Sequence, residues 1–168
     1  MKKSVILYNV AFPLWLLWLM PMTWFVVFPV NFLVDLLVIV LTMKHLKIPG
    51  MKHNSKVVIL RVWLMGFAAD LIGSCVMYII AFIDFGGQNQ WREGIQDAML
   101  NNPFRSNIAL LLMTVGVIVS AFFIYLFNYK WCLEKSSFND MERKKVALSL
   151  AVFTAPYLFY LPTEWFYR

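Results

Sequence analysis

Apolar residues run almost unbroken over 5–43, 61–83, 108–127 and 146–161, and most polar residues are gathered between these runs. A run of about 20 apolar residues, at about 1.5 Å rise per residue, crosses about 30 Å of hydrocarbon. Val5 to Met43 as a single helix would reach about 58 Å, so this run must fold back. The stretch "LWLMPMTWF" marks the place. Pro21 removes a backbone donor and biases Met20 away from helix, and Trp15, Trp18 and Trp24 flank it, as tryptophans do at head-group level. The pattern predicts five spans, over 5–20, 24–43, 61–83, 108–127 and 146–161, with a re-entrant hairpin over 5–43 as the alternative for the first two. The basic start and apolar run of "MKKSVILYNVAF" read as a retained signal anchor, since no small-residue cleavage site follows. The fold class is all-α: one polytopic transmembrane bundle over residues 1–168.

The connections carry their own pattern. "KHLKIPGMKHNSK" holds the turn pair Pro49-Gly50 and predicts a polar link over 44–60. In the 84–106 segment, Trp91, Ile95, Ala98 and Met99 share one face at helical spacing. Arg92, Glu93, Gln96 and Asp97 lie mostly opposite, which predicts a short amphipathic helix, 91–100, along the membrane surface. Pro156 and Pro162 are expected to kink or end the last span.

Composition agrees with the pattern. Hydrophobic residues make up 61% of the chain and charged residues only 14%, against about half and about a quarter in soluble domains. The net charge of +6 would suggest nucleic acid on a soluble protein. Here the basic residues fall between the spans, so nucleic acid is not expected as a partner. Five spans place Lys2, Lys3, Lys44, Lys47, Lys52, Lys56, Arg61, Lys130, Lys135, Arg143, Lys144 and Lys145 on one side. Arg92, Arg105 and Arg168 fall on the other, a split of 12 to 3 among the 15 Lys and Arg residues. That bias predicts a cytoplasmic N-terminus and an outer C-terminus, the cell membrane as location, and anionic lipid head groups as partners at the cytoplasmic face. Cys75 and Cys132 suggest neither a disulfide framework nor a zinc site, and His45 and His53 read as solvated loop residues. With no Gly-rich phosphate loop and no Cys/His cluster, no cofactor or metal is expected.

Two charged residues break the apolar runs. Asp35 in "NFLVD" and Asp70 in "GFAAD" each lie nine residues from the basic anchors Lys44 and Arg61. On antiparallel neighbouring helices both carboxylates are then about 13 Å above the anchors, level with each other and near mid-bilayer. An ionised Asp there costs at least about 2.5–3.5 kcal/mol, which protonation, a cation or polar neighbours would offset. Asn31 is one turn before Asp35, Ser74 one turn after Asp70, and Gly66 removes bulk from the Asp70 face. Asn31, Asp35, Asp70 and Ser74 are therefore expected to converge on one polar pocket. Ala69 and Gly73 form a small-xxx-small pair suited to close helix approach. Matches at Phe, Asp and Leu between "NFLVDLLV" and "GFAADLIG" are few enough to arise by chance in apolar sequence.

Three functions are compatible with this pattern. The first is an accessory or interaction subunit of a larger membrane assembly, homo- or hetero-oligomeric, in which the aspartates are structural. The second is a small proton- or cation-coupled transporter using Asp35 and Asp70, with Asn31 and Ser74 in support. The third is an intramembrane hydrolase. Paired aspartates on antiparallel helices resemble intramembrane aspartyl proteases, which implies a shared proton and an activated water. That family carries Gly-x-Gly-Asp at its second aspartate where this chain has Ala68-Ala69-Asp70, and "APYL" at 155–158 is only partly similar to its Pro-Ala-Leu element. With so few residues shared, membership is not assigned.

Overall fold

The computed structural model describes residues 21–82 and 89–162 of the chain. The described residues are helical, without strands, in the order α1 (Pro21–His45), α2 (Met51–Phe82), α3 (Asn89–Asn101), α4 (Asn107–Phe127) and α5 (Asp140–Phe153). Three stretches are long and apolar enough to cross a membrane: Val27–His45, Met51–Ile80 and Asn107–Lys135. The first predicted span, 5–20, lies outside the described residues.

α1 is described from Pro21 and holds Pro29 within it. It ends with Lys47 in the left-handed region (φ 55°) while the Ile48 amide returns to the Met43 carbonyl at 3.0 Å. Gly50 (φ +70°) then reverses the chain, and α2 starts at Met51. The polar link expected over 44–60 is thus largely helix. Lys52, His53 and Lys56 are exposed on the first turns of α2, whose 32 residues make about 48 Å, more than the hydrocarbon needs. The lysines and His53 did not mark where the helix begins.

α1 and α2 form an antiparallel hairpin locked by aromatic rings. The Trp63 indole donates to the Phe28 carbonyl at 3.2 Å, beside Pro29, and Phe28 meets Trp63 and Phe67 edge-on at 5.8 and 5.1 Å. α2 packs most extensively on α4. There a Cβ on Gly73 would overlap the Ser120 hydroxyl and come within 2.9 Å of the Gly116 carbonyl oxygen, so the small-residue pair is used for backbone contact. α4 passes at Asn128–Cys132 into a π-helical turn and then a connector. Asn54, 1% exposed, accepts from the Ser137 amide (3.2 Å) and hydroxyl (2.9 Å) and so ties this connector to the start of α2. The end of the bundle so joined carries Lys44, Lys47, Lys52, Lys56, Lys130, Lys135, Lys144 and Lys145; we call it the basic end.

The predicted surface helix exists as α3. Ala98 and Met99 are buried against Met77, Ala109 and Met113, while Gly94 and Asp97 face out. The predicted span 146–161 is not one helix. α5 starts on a capping box between Asn139 and Glu142 and stops at Phe153 after 14 residues; a short 3-10 turn, Tyr157–Tyr160, follows Pro156. Proline ends the helix, as its missing donor requires.

Candidate functional site

Asp35 stands at the middle of the Val27–His45 stretch and is 8% exposed. Its Oδ2 is 3.9 Å from the point a Gly66 Cβ would occupy, so the carboxylate lies against α2 at the level of Gly66. Asp70 is one turn further along α2 on the same face. The two are therefore staggered by about one turn rather than level. Side chains lean toward the N-terminus of their own helix. α1 and α2 are antiparallel, so the leans converge, and the two carboxylates are close enough to interact as charges.

The other expected members of the pocket behave differently. The Ser74 hydroxyl donates to the Asp70 backbone carbonyl at 2.9 Å, within its own helix, as serine in a helix commonly does. Asn31 is half-buried one turn before Asp35. Among the described residues neither Asn31 nor Ser74 bonds to a carboxylate, and neither aspartate is in an ion pair. The neighbour that sequence reasoning missed is Thr154, which lies beside Asp35 while its hydroxyl donates to the Leu150 carbonyl. A threonine two residues before Pro156 was its only signal.

Thr154 brings the end of α5 to the carboxylates. The last carbonyls of a helix carry a partial negative charge. Here the Leu150 carbonyl accepts from the Thr154 amide (2.9 Å) and hydroxyl (2.8 Å), and the Val152 carbonyl accepts from the Tyr157 hydroxyl (2.5 Å). The site thus gathers two carboxylates, a hydroxyl and a helix C-terminus, all oxygen donors, in the middle of the bundle.

One atom is left over. Asp70 Oδ1 is buried and has no hydrogen-bond partner, which costs about 1–3 kcal/mol for a neutral group and more for a charged one. Two carboxylates and a helix C-terminus with no basic residue attached call for positive charge. A proton shared between the carboxylates or a small cation would supply it. Among the described residues no group of three or more His, Cys, Asp or Glu is placed to hold a metal ion, so the arrangement is not that of a transition-metal centre. Comparison with known protein families, with curated proteins and with solved structures gave no match.

Proposed function

We propose that this chain is a small proton- or cation-handling protein of the cell membrane, with Asp35 and Asp70 as the groups that take up and release the ion. The single observation that carries this reading is the buried, unpartnered Asp70 Oδ1, in a carboxyl close enough to Asp35 for the two to interact as charges. In this reading the chain has five spans, N-terminus cytoplasmic and C-terminus outside, as the 12-to-3 division of basic residues favours. α5 and the stretch after it together make the last crossing. The basic end then faces the cytoplasm and anionic head groups.

The test is ion flux into proteoliposomes holding the wild type, Asp35→Asn or Asp70→Asn. Each variant is expected to insert and unfold like the wild type, since an amide fills the space of a protonated carboxyl, and to lose flux by at least about tenfold, equivalent to about 1.4 kcal/mol in the barrier. Full flux in the double variant would sink the reading.

A second reading has its own support. Leu33, Leu37 and Leu41 form an exposed apolar face on α1, and the α1–α2 turn is only residues 46–50, leaving little soluble surface for independent work. An accessory subunit seated in a larger membrane assembly fits that economy, and in it the aspartates would be structural. Copurification of a stoichiometric partner after mild detergent extraction, with both Asn variants silent, would select it.

A further inference from the structure

We infer that the ligand of the Asp35–Asp70 pair is a proton and that it arrives from the basic end, along the α2–α4 interface past Asn128. The inference takes the carboxylate pair as its endpoint and so rests on the ion-handling reading above.

The register of α2 against α4 sets the positions. Gly73 meets Ser120, and Arg61 lies near enough to Cys132 to act on it as a charge. Both pairings agree for antiparallel helices, so Asn128 stands level with Met65 and Gly66. That is the layer of the Asp35 carboxylate, about 7 Å to the basic side of Asp70. Asn128 is fully buried. Its amide donates to the Ile124 carbonyl at 2.8 Å, and its Oδ1 has no partner. It opens the π-helical turn, a distortion of the backbone ladder that recurs at functional sites. Next to it, the Tyr129 ring carries the Arg143 guanidinium at 6.0 Å, and Arg143 Nε is also buried without a partner.

The distribution of such atoms is one-sided. The buried, unpartnered side-chain atoms among the described residues are Ser55 Oγ, Asp70 Oδ1, Ser120 Oγ, Asn128 Oδ1 and Arg143 Nε. All lie at the Gly73–Ser120 crossing or on its basic side. Beyond the crossing Met77 covers Gly116 and joins Met99 and Met113 in a separate apolar cluster. The hydroxyls there satisfy each other, Tyr160 donating to Thr114 at 2.9 Å. Among the described residues the side away from the lysines is therefore apolar or internally satisfied, and the spare donors and acceptors lie toward the lysines.

The same half of the bundle holds the main apolar core, including Ile39, Val58, Val62, Leu133 and Leu150. A dehydrated cation needs several oxygens at every step, and isolated polar atoms in an apolar core do not offer them. A proton needs only one hydrogen-bonded link after another, with single bridging waters between them. The titratable or charged groups around the pair are the two aspartates themselves on α1 and α2. Arg61 on α2, Cys132 and Tyr129 after α4, and Arg143 on α5 all stand on the basic side.

The experiment is time-resolved infrared spectroscopy of the carboxylic acid stretch in oriented proteoliposomes after a pH jump on one face. Asp35→Asn and Asp70→Asn assign the band. In the wild type the band is expected to follow the pH of the basic face and not of the opposite face. Asn128→Leu, close in volume, is expected to slow that response by about tenfold or more, and Ser55→Ala, a gentler change, to slow it less. A band that follows the opposite face, or one whose rate Asn128→Leu and Ser55→Ala both leave unchanged, overturns the path while leaving the carboxylate pair as a proton site. A band that answers to neither face overturns the proton-site reading and the path together.

Discussion

At the scale of single residues, three glycines have three different duties, and alanine separates them. A Cβ at Gly73 would overlap Ser120 and crowd the Gly116 carbonyl; one at Gly116 would overlap the movable side chain of Met77 and make an ordinary contact with the Gly73 carbonyl oxygen at 3.6 Å; one at Gly66 would be 3.9 Å from Asp35 Oδ2, an ordinary contact. Thermal unfolding in detergent should rank the variants accordingly. Gly73→Ala is expected to lose about 1–3 kcal/mol and Gly116→Ala less. Gly66→Ala should be neutral or gain up to about 1 kcal/mol from helix propensity. The aspartates themselves were legible because a charged residue in an apolar run has few innocent explanations. Ser74 was misjudged because a helical hydroxyl prefers its own backbone. Thr154 was hidden because its link to Asp35 joins the second half of the chain to the first, and no spacing rule reaches across such a distance.

At the scale of elements, stability at the basic end should depend on two asparagines. Asn54→Ala leaves the Ser137 amide and hydroxyl without their acceptor and is expected to cost about 1–3 kcal/mol. Asn139→Ala removes one side of the α5 capping box and is expected to cost about 1 kcal/mol. The first turn of α5 also carries a pH signature. The Lys144 ammonium and the Tyr129 hydroxyl hold the Asp140 carboxyl below its ordinary 3.8. A carboxyl depressed in the fold stabilises above its unfolded value and loses that contribution as pH falls through the folded one. The melting-temperature gap between wild type and Asp140→Asn should therefore be small, present at neutral pH, and close only below 3.8. Element ends followed the sequence where backbone chemistry set them, as at Pro156. They departed where charge was the guide: Lys52 and Lys56 belong to the first turns of a 32-residue helix.

At the scale of the whole molecule, the basic end makes topology the first thing to measure. In a chain with Cys75→Ala and Cys132→Ala, an impermeant maleimide should label Lys52→Cys only from the cytoplasmic side and Phe104→Cys only from the outer side. Labelling of both from one face would contradict the antiparallel arrangement of α2 and α4. The early stop of α5 carries a further consequence. Acyl chains cannot serve the amides of a backbone that has left its helix, yet Phe153 and Leu158 are 67% and 68% exposed beside that break. This patch is the part of the surface that lipid suits least and another polypeptide suits best. In the accessory-subunit reading a partner would seat here, and Leu158→Cys in native membranes is then expected to crosslink to it; the absence of any crosslink would count against that reading.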